Sequence, residues 1–189
     1  MLYLSRDGTA MRETDKLASG IIPAYESLFE SINMFPKKYL EIGIADGGSL
    51  EWAKEYFWDE NSKIYGLDIT LPAPIDGVLM ERIDQADTDA LRSFAEAHGP
   101  FDIIVDDASH NAGLTQRTFE VLYPFSGCYI IEDWGAGYFP QYEGLQTLVL
   151  DLVAQYGGYV VKLNEGPVSD KPVIDGGGTF AVIGEGPFL

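Results

Sequence analysis

Two short acidic stretches carry the residue types best suited to chemistry in this sequence: "VDDASH" at 105–110 and "IIED" at 130–133. Each follows or completes an apolar run, "FDIIV" and "CYII", that reads as a buried β-strand. Neighbouring strands lie about 5 Å apart, so if these two are neighbours, Asp106, Asp107, Glu132 and Asp133 converge at their carboxyl ends. Unrelieved, four carboxylates repel and raise one another's pKa. Neither stretch contains a Lys or Arg. A hard divalent cation relieves the charge, and Mg²⁺ takes oxygen ligands while keeping waters that substrate oxygens can displace. His110 would then stand beside the metal, where a neutral imidazole takes a proton from a hydroxyl. The same residues also read as plain structure: a turn in which Asp107 and Ser109 bond local backbone, and a His110 that caps the next helix. His98, at a helix end before Gly99 and Pro100, is expected to be a cap with no chemistry.

A second group lies upstream. In "EIGIADGGS" (41–49), Gly43, Gly47 and Gly48 allow a sharp turn and close approach to a ligand, and Glu41 offers an acceptor to a cationic or hydroxylated group. The spacing is not G-x-G-x-x-G, which weakens a dinucleotide reading. Asp68 closes the run "KIYGLD", where an acidic side chain accepts hydrogen bonds from ribose hydroxyls in such folds. With the glycine loop, it indicates an adenosine-containing cofactor. Asp84 and Gln85 of "DQAD" are placed to meet an adenine edge, while Asp87 reads equally as a helix cap.

The elements that must position these groups alternate along the chain. Strands are predicted at 38–44, 63–69, 78–83, 101–106, 128–133, 158–163 and 179–184, with helices at 21–35, 49–58, 88–98, 113–123 and 142–156. Ser19 is a candidate cap for the first of these helices. Strand–helix alternation implies βαβ units and a parallel sheet. The last two strands have a Pro- and Gly-rich loop, 164–178, in place of a helix, so the seventh is expected to return antiparallel beside the sixth. The fold class is therefore α/β: a Rossmann-like, mostly parallel seven-stranded sheet with an antiparallel last strand and helices on both faces. Ligands of such sheets bind beyond the carboxyl ends of the strands, where the residues above sit.

Composition agrees with one domain over 1–189, including an amino-terminal helical segment at 1–36. The chain has 189 residues, 46% of them hydrophobic, enough for one sizeable core. Its net charge of -18 repels phosphate backbones and anionic lipids, which argues against nucleic-acid and membrane partners. No apolar run is long enough for a signal peptide or a membrane span. With the lone Cys128 in a core-like run, the expectation is a cytoplasmic protein.

The motifs "YLEIGIADGGSL", "IYGLDI", "DQAD", "FDIIVDDASH" and "YIIEDW" together resemble those of class I S-adenosylmethionine-dependent methyltransferases. They are most similar to the metal-dependent sugar O-methyltransferases of macrolide biosynthesis, the mycinamicin and macrocin type, with cephalosporin hydroxylase-like relatives. The resemblance runs from about residue 14 to about 163 and is most specific in the paired "DDASH" and "IED" segments. It implies Asp107, Glu132 and Asp133 as ligands of Mg²⁺ or another divalent cation, and His110 as general base. It implies that Glu41, Gly43, Gly47, Gly48, Ser49, Asp68, Ile69, Asp84, Gln85 and Asp106 hold S-adenosylmethionine. The implied reaction is O-methylation of a small-molecule hydroxyl, on a sugar or other natural product. "TDKLASGIIPAYESLF" departs from the family's amino-terminal segment, which usually has a His and a Tyr where Ser19, Gly20 and Ile21 stand. The chain is expected to lack the extra amino-terminal domain of some relatives, so their assembly does not transfer, and a homo-oligomer stands as a candidate assembly. Trp134, Tyr138, Phe139 and Tyr142 are candidates for an aromatic wall and 164–178 for a lid. Two alternatives stand beside this reading: a non-catalytic S-adenosylmethionine-binding protein and an NAD-dependent oxidoreductase.

Overall fold

A strand covered on both faces needs apolar side chains at consecutive positions, and the central strands have them. The computed structural model describes residues 4–31, 36–57, 59–135, 140–162 and 179–184. Strands β1 (Lys38–Ile42), β2 (Lys63–Asp68), β3 (Val78–Arg82), β4 (Phe101–Asp106), β5 (Ser126–Glu132), β6 (Gly158–Lys162) and β7 (Thr179–Ile183) form one sheet in the order β3-β2-β1-β4-β5-β7-β6. β1 to β5 are parallel. β7 runs antiparallel to β6, as the short connection predicts, and it is also inserted beside β5, which leaves β6 at the edge. The helices are α1 (Asp15–Ala18), α2 (Ile21–Ser31), α3 (Gly48–Tyr56), α4 (Thr88–His98), α5 (Ala112–Leu122) and α6 (Leu145–Tyr156).

Side-chain alternation divides the core into two layers. Leu40, Ile42, Ile104, Tyr129 and Ile131 pack against α4, α5 and α6. Their neighbours Tyr39, Ile103, Val105, Cys128 and Ile130 pack against α2 and α3. Cys128 is core packing, and burial pushes its thiol up to about 12, away from reactivity. Among the described residues, no helix is long and apolar enough to cross a membrane.

Several boundaries differ from expectation. The first long helix covers Ile21–Ser31, and 32–35 of its expected span lie outside the described residues; Ser19 closes α1 instead of opening α2, its N–H donating to Asp15. The last helix starts at Leu145, behind Gly144 at φ +87°. Asp87 caps α4 as expected, accepting from the Ala90 N–H at 3.0 Å. Asn111, not His110, caps α5. His98 ends α4; its carbonyl accepts from Lys38 and its ring packs on Phe94 and Tyr65. Connections leave β1 and β4 toward opposite sides of the sheet, so a crevice opens between the carboxyl ends of those two strands.

Candidate active site

Strand parity decides where the acidic pairs point. Asp106 continues the Ile104 face and Asp107 the Val105 face, so the adjacent carboxylates part company. Asp106 is buried and accepts from Gln85 Nε2 (3.1 Å), Tyr129 Oη (3.2 Å) and the Ala108 N–H (3.4 Å). Burial pushes its carboxyl up to about 7. Gln85, also buried, accepts from Ser109 Oγ at 2.6 Å through Oε1, so both ends of its amide brace the turn after β4. Asp84 accepts from the Ala86 N–H at 2.8 Å. The structure thus gives the Asp84–Gln85 pair internal partners.

Glu41 and Glu132 project to the other layer, where both are almost fully buried. Buried carboxylates need a partner, and Lys16 of α1 supplies it. Its Nζ lies 2.6 Å from Glu41 Oε1, 2.6 Å from Glu132 Oε1 and 3.0 Å from Asp107 Oδ2. Tyr25 Oη donates to Glu132 (2.8 Å), and Tyr39 Oη (3.1 Å) and Ser49 Oγ (2.8 Å) donate to Glu41. Burial works against the Lys16 ammonium, but Asp107, Glu132 and Glu41 together outweigh it and keep it protonated. Sequence reasoning missed Lys16. No basic residue lies within the two acidic stretches, yet one reaches them from the amino-terminal segment.

Asp133 leaves β5 with φ +52° and His110 leaves the turn after β4 with φ +54°. Both are sparsely populated conformations for such residues, and they swing the two side chains toward Asp107. His110 Nε2 stands 3.9 Å from Asp107 Oδ1 and 3.7 Å from Asp133 Oδ2. One ligand atom from each of the three lies within 4.8 Å of the others. These separations exceed hydrogen bonds, and the ligand atoms of Asp107 and Asp133 lie close enough together to share one ion. The two carboxylates therefore fit a divalent cation, with the His110 imidazole beside it. Glu132 lies within the same reach of Asp107, on the Lys16 side. Burial lowers the His110 pKa, favouring the neutral imidazole, and its ring meets Tyr142 edge-on at 5.7 Å. Trp134 is buried in the core. Tyr138, Phe139 and the 164–178 segment lie outside the described residues.

The glycine loop is shaped by the protein as well as for a ligand. Gly43 has φ +83°, and a Cβ there would stand 2.3 Å from the Asp107 carbonyl oxygen. Asp68 Oδ2 accepts from the N–H groups of Ile44 (2.9 Å) and Ala45 (3.3 Å), and Oδ1 from Thr70 (3.0 Å), so this carboxylate holds the loop in place. Ile69 is exposed beyond it. Gly47 caps α3 in the left-handed conformation. A cleft of about 1190 Å³ opens here, walled by Gly43–Asp46, Gly48 and Ser49 on one side, residues 11–18 on the other, and Asp107. Its volume admits a nucleoside-sized ligand. Glu41, Gly47, Asp68, Ile69, Asp84, Gln85 and Asp106 lie outside its lining.

No family model matches the chain. In sequence it is 39% identical over 140 residues to the 8-demethyl-8-(2-methoxy-alpha-L-rhamnosyl)-tetracenomycin-C 3'-O-methyltransferase of Streptomyces olivaceus, covering 66% of this chain and 35% of that one. It is 34% identical over 134 residues to the mycinamicin VI 2''-O-methyltransferase of Micromonospora griseorubida, covering 65% and 33%. The chain thus spans about a third of the length of these curated relatives. In structure it is similar to the MycE methyltransferase of the mycinamycin pathway in complex with Mg, SAH and mycinamycin VI: TM-score 0.66, 25% identity, 95% of this chain and 56% of that one. A Bacillus cereus O-methyltransferase in complex with SAH shares the fold at TM-score 0.59 and 14% identity, over 94% and 84%.

Proposed function

We infer that this chain, which has the fold of the class I S-adenosylmethionine-dependent methyltransferases and resembles the sugar O-methyltransferases of antibiotic pathways in sequence, is itself a metal-dependent O-methyltransferase. The observation that carries the reading is that Asp107, which clusters with His110 and Asp133, also lines the cleft bounded by the glycine loop.

In this reading the 41–49 loop and the 11–18 segment hold S-adenosylmethionine, with Asp68 fixing the loop from behind. Asp107 and Asp133 hold the cation, while Glu132 Oε1 is engaged by Lys16. When bound, the cation lowers the pKa of an acceptor hydroxyl and the sulfonium cofactor supplies a methyl group already activated by its positive charge. His110, neutral because burial lowers its pKa, would accept the hydroxyl proton at Nε2 as the methyl group passed from the cofactor's sulfur to the hydroxyl oxygen, leaving S-adenosylhomocysteine. Tyr142 braces the imidazole edge. Asp106, Gln85 and Ser109 keep the turn carrying Asp107 and His110 in register, and much of the rate comes from that positioning.

The acceptor we propose is a sugar hydroxyl on a natural product, supported by the printed activities of the tetracenomycin and mycinamicin relatives. The net charge of -18 supports a small-molecule acceptor over nucleic acid, and the single buried Cys128 is compatible with a cytoplasmic, single-domain protein. The test is methyl transfer from labelled S-adenosylmethionine to a panel of rhamnosylated and other glycosylated aglycones, with Mg²⁺ or EDTA. Turnover should require the cation, and His110→Ala should abolish turnover while changing S-adenosylhomocysteine affinity less than threefold. A His110→Ala variant that keeps most of its activity removes this residue from the mechanism.

A further inference from the structure

The cation nearest these groups belongs to the chain itself. Lys16 Nζ touches carboxylates from the ends of β1, β4 and β5, and it does so from α1, a helix of four residues. Asp107 is divided between two clusters: Oδ2 pairs with Lys16 in the Glu41–Asp107–Glu132 group, while Oδ1 faces His110 in the Asp107–His110–Asp133 group. Both groups have the spacing of a cation site, and one has an ammonium at its centre.

The segment around Lys16 is a strap across the cleft. A Cβ on Gly48 would stand 2.4 Å from the Glu13 carbonyl oxygen, so the strap crosses directly over the start of α3. Arg12 pins its other end, donating to the carbonyls of Asp46 (3.0 Å), Ala73 (3.1 Å) and Pro74 (3.3 Å) and pairing with Glu51 at 2.9 Å. One helical turn is unstable by itself, so these anchors determine where the strap lies.

We propose that Lys16 is a positioning residue with two linked roles. Its ammonium is the resident cation of the Glu41–Asp107–Glu132 cluster, keeping a divalent ion out of it, and the same contacts dock residues 11–18 as the wall of the cleft. Asp107 is thereby held with one oxygen committed and the other presented to His110 and Asp133. The proposal rests on the methyltransferase reading only for what fills the cleft; the clusters and the strap stand without it.

The test uses the full chain and Mn²⁺ alone, with no methyl donor. Titration calorimetry gives the number of cations per chain, and hydrogen exchange followed by mass spectrometry gives the protection of amides 11–18. Wild type should bind one Mn²⁺. Lys16→Met should bind one more than wild type, in the vacated cluster, and its strap amides should exchange at least tenfold faster before the ion is added. The proposal is overturned if either the cation count or the strap exchange stays at the wild-type value. If wild type binds no Mn²⁺, the metal reading of the Asp107–His110–Asp133 group fails, yet Lys16→Met must still gain one ion. Should Lys16→Met not fold, the triple variant with Glu41→Gln and Glu132→Gln removes the buried charge together with the ammonium. That variant must lose strap protection without gaining an ion, and a strap as protected as in wild type overturns the proposal there too.

Discussion

Gly43→Ala should damage both stability and cation binding, and the structure sets the size of the effect. Gly43 has φ +83°, and an added Cβ would lie 2.3 Å from the Asp107 carbonyl oxygen and 2.6 Å from Ala108 Cα. A carbon needs roughly 3.3 Å from an oxygen, so the backbone at Asp107 must retreat by about 1 Å. The left-handed conformation costs alanine about 1–2 kcal/mol, and forced overpacking adds about 1–3 kcal/mol. Gly8 provides the control: it has the same φ of +83° and nothing within 4 Å of its would-be Cβ, so Gly8→Ala incurs the conformational cost alone. Urea unfolding of the two variants isolates the clash, expected at about 1–3 kcal/mol. Calorimetric titration of Mg²⁺ should show weaker binding in Gly43→Ala only, because only there does Asp107 move. If Gly43→Ala is no less stable than Gly8→Ala, or binds the cation as wild type does, the packing argument linking the glycine loop to the acidic turn is wrong.

Two further predictions concern groups around that turn. Burial raises Asp106 from 3.8 to about 7, so the native state keeps a proton that the unfolded chain has already released. Its contribution to stability is fully present below about pH 4 and lost as pH rises to about 7. Asn mimics the protonated acid, so Asp106→Asn should match wild type near pH 4 and exceed it at pH 8, by on the order of 4 kcal/mol at most; urea midpoints that stay equal across this range contradict the shift. Asp87→Ala removes the side-chain acceptor for the Ala90 N–H at the start of α4 and should cost about 1 kcal/mol in the same assay, with cation binding unchanged.

The sheet and the ends of its strands were legible because apolar runs such as "FDIIV" and "CYII" give way to paired charged residues, each of which needs a partner if it is to be buried. The insertion of β7 beside β5 was not, since an antiparallel return is satisfied equally on either side of β6. The acidic cluster was half legible. Parity alone separates Asp106 from Asp107, but the turn of Asp133 toward His110 depends on positive φ at two residues that carry no glycine signal. Lys16 was hidden by distance: its partners lie 25 and 116 positions away, and a lysine in a short polar segment looks like any solvated one. Gln85 shows the opposite limit, where the right element was identified but the amide turned inward to Asp106 and Ser109.

The most direct test of the central claim is calorimetric titration of the purified chain with S-adenosylhomocysteine, in Mg²⁺ and in EDTA, beside a parallel titration with NAD⁺. Micromolar binding of S-adenosylhomocysteine and none of NAD⁺ is the result predicted for a methyltransferase cleft between the glycine loop and the 11–18 strap. Absence of S-adenosylhomocysteine binding under both conditions would contradict it, and would return the paired aspartates to the status of a well-braced turn.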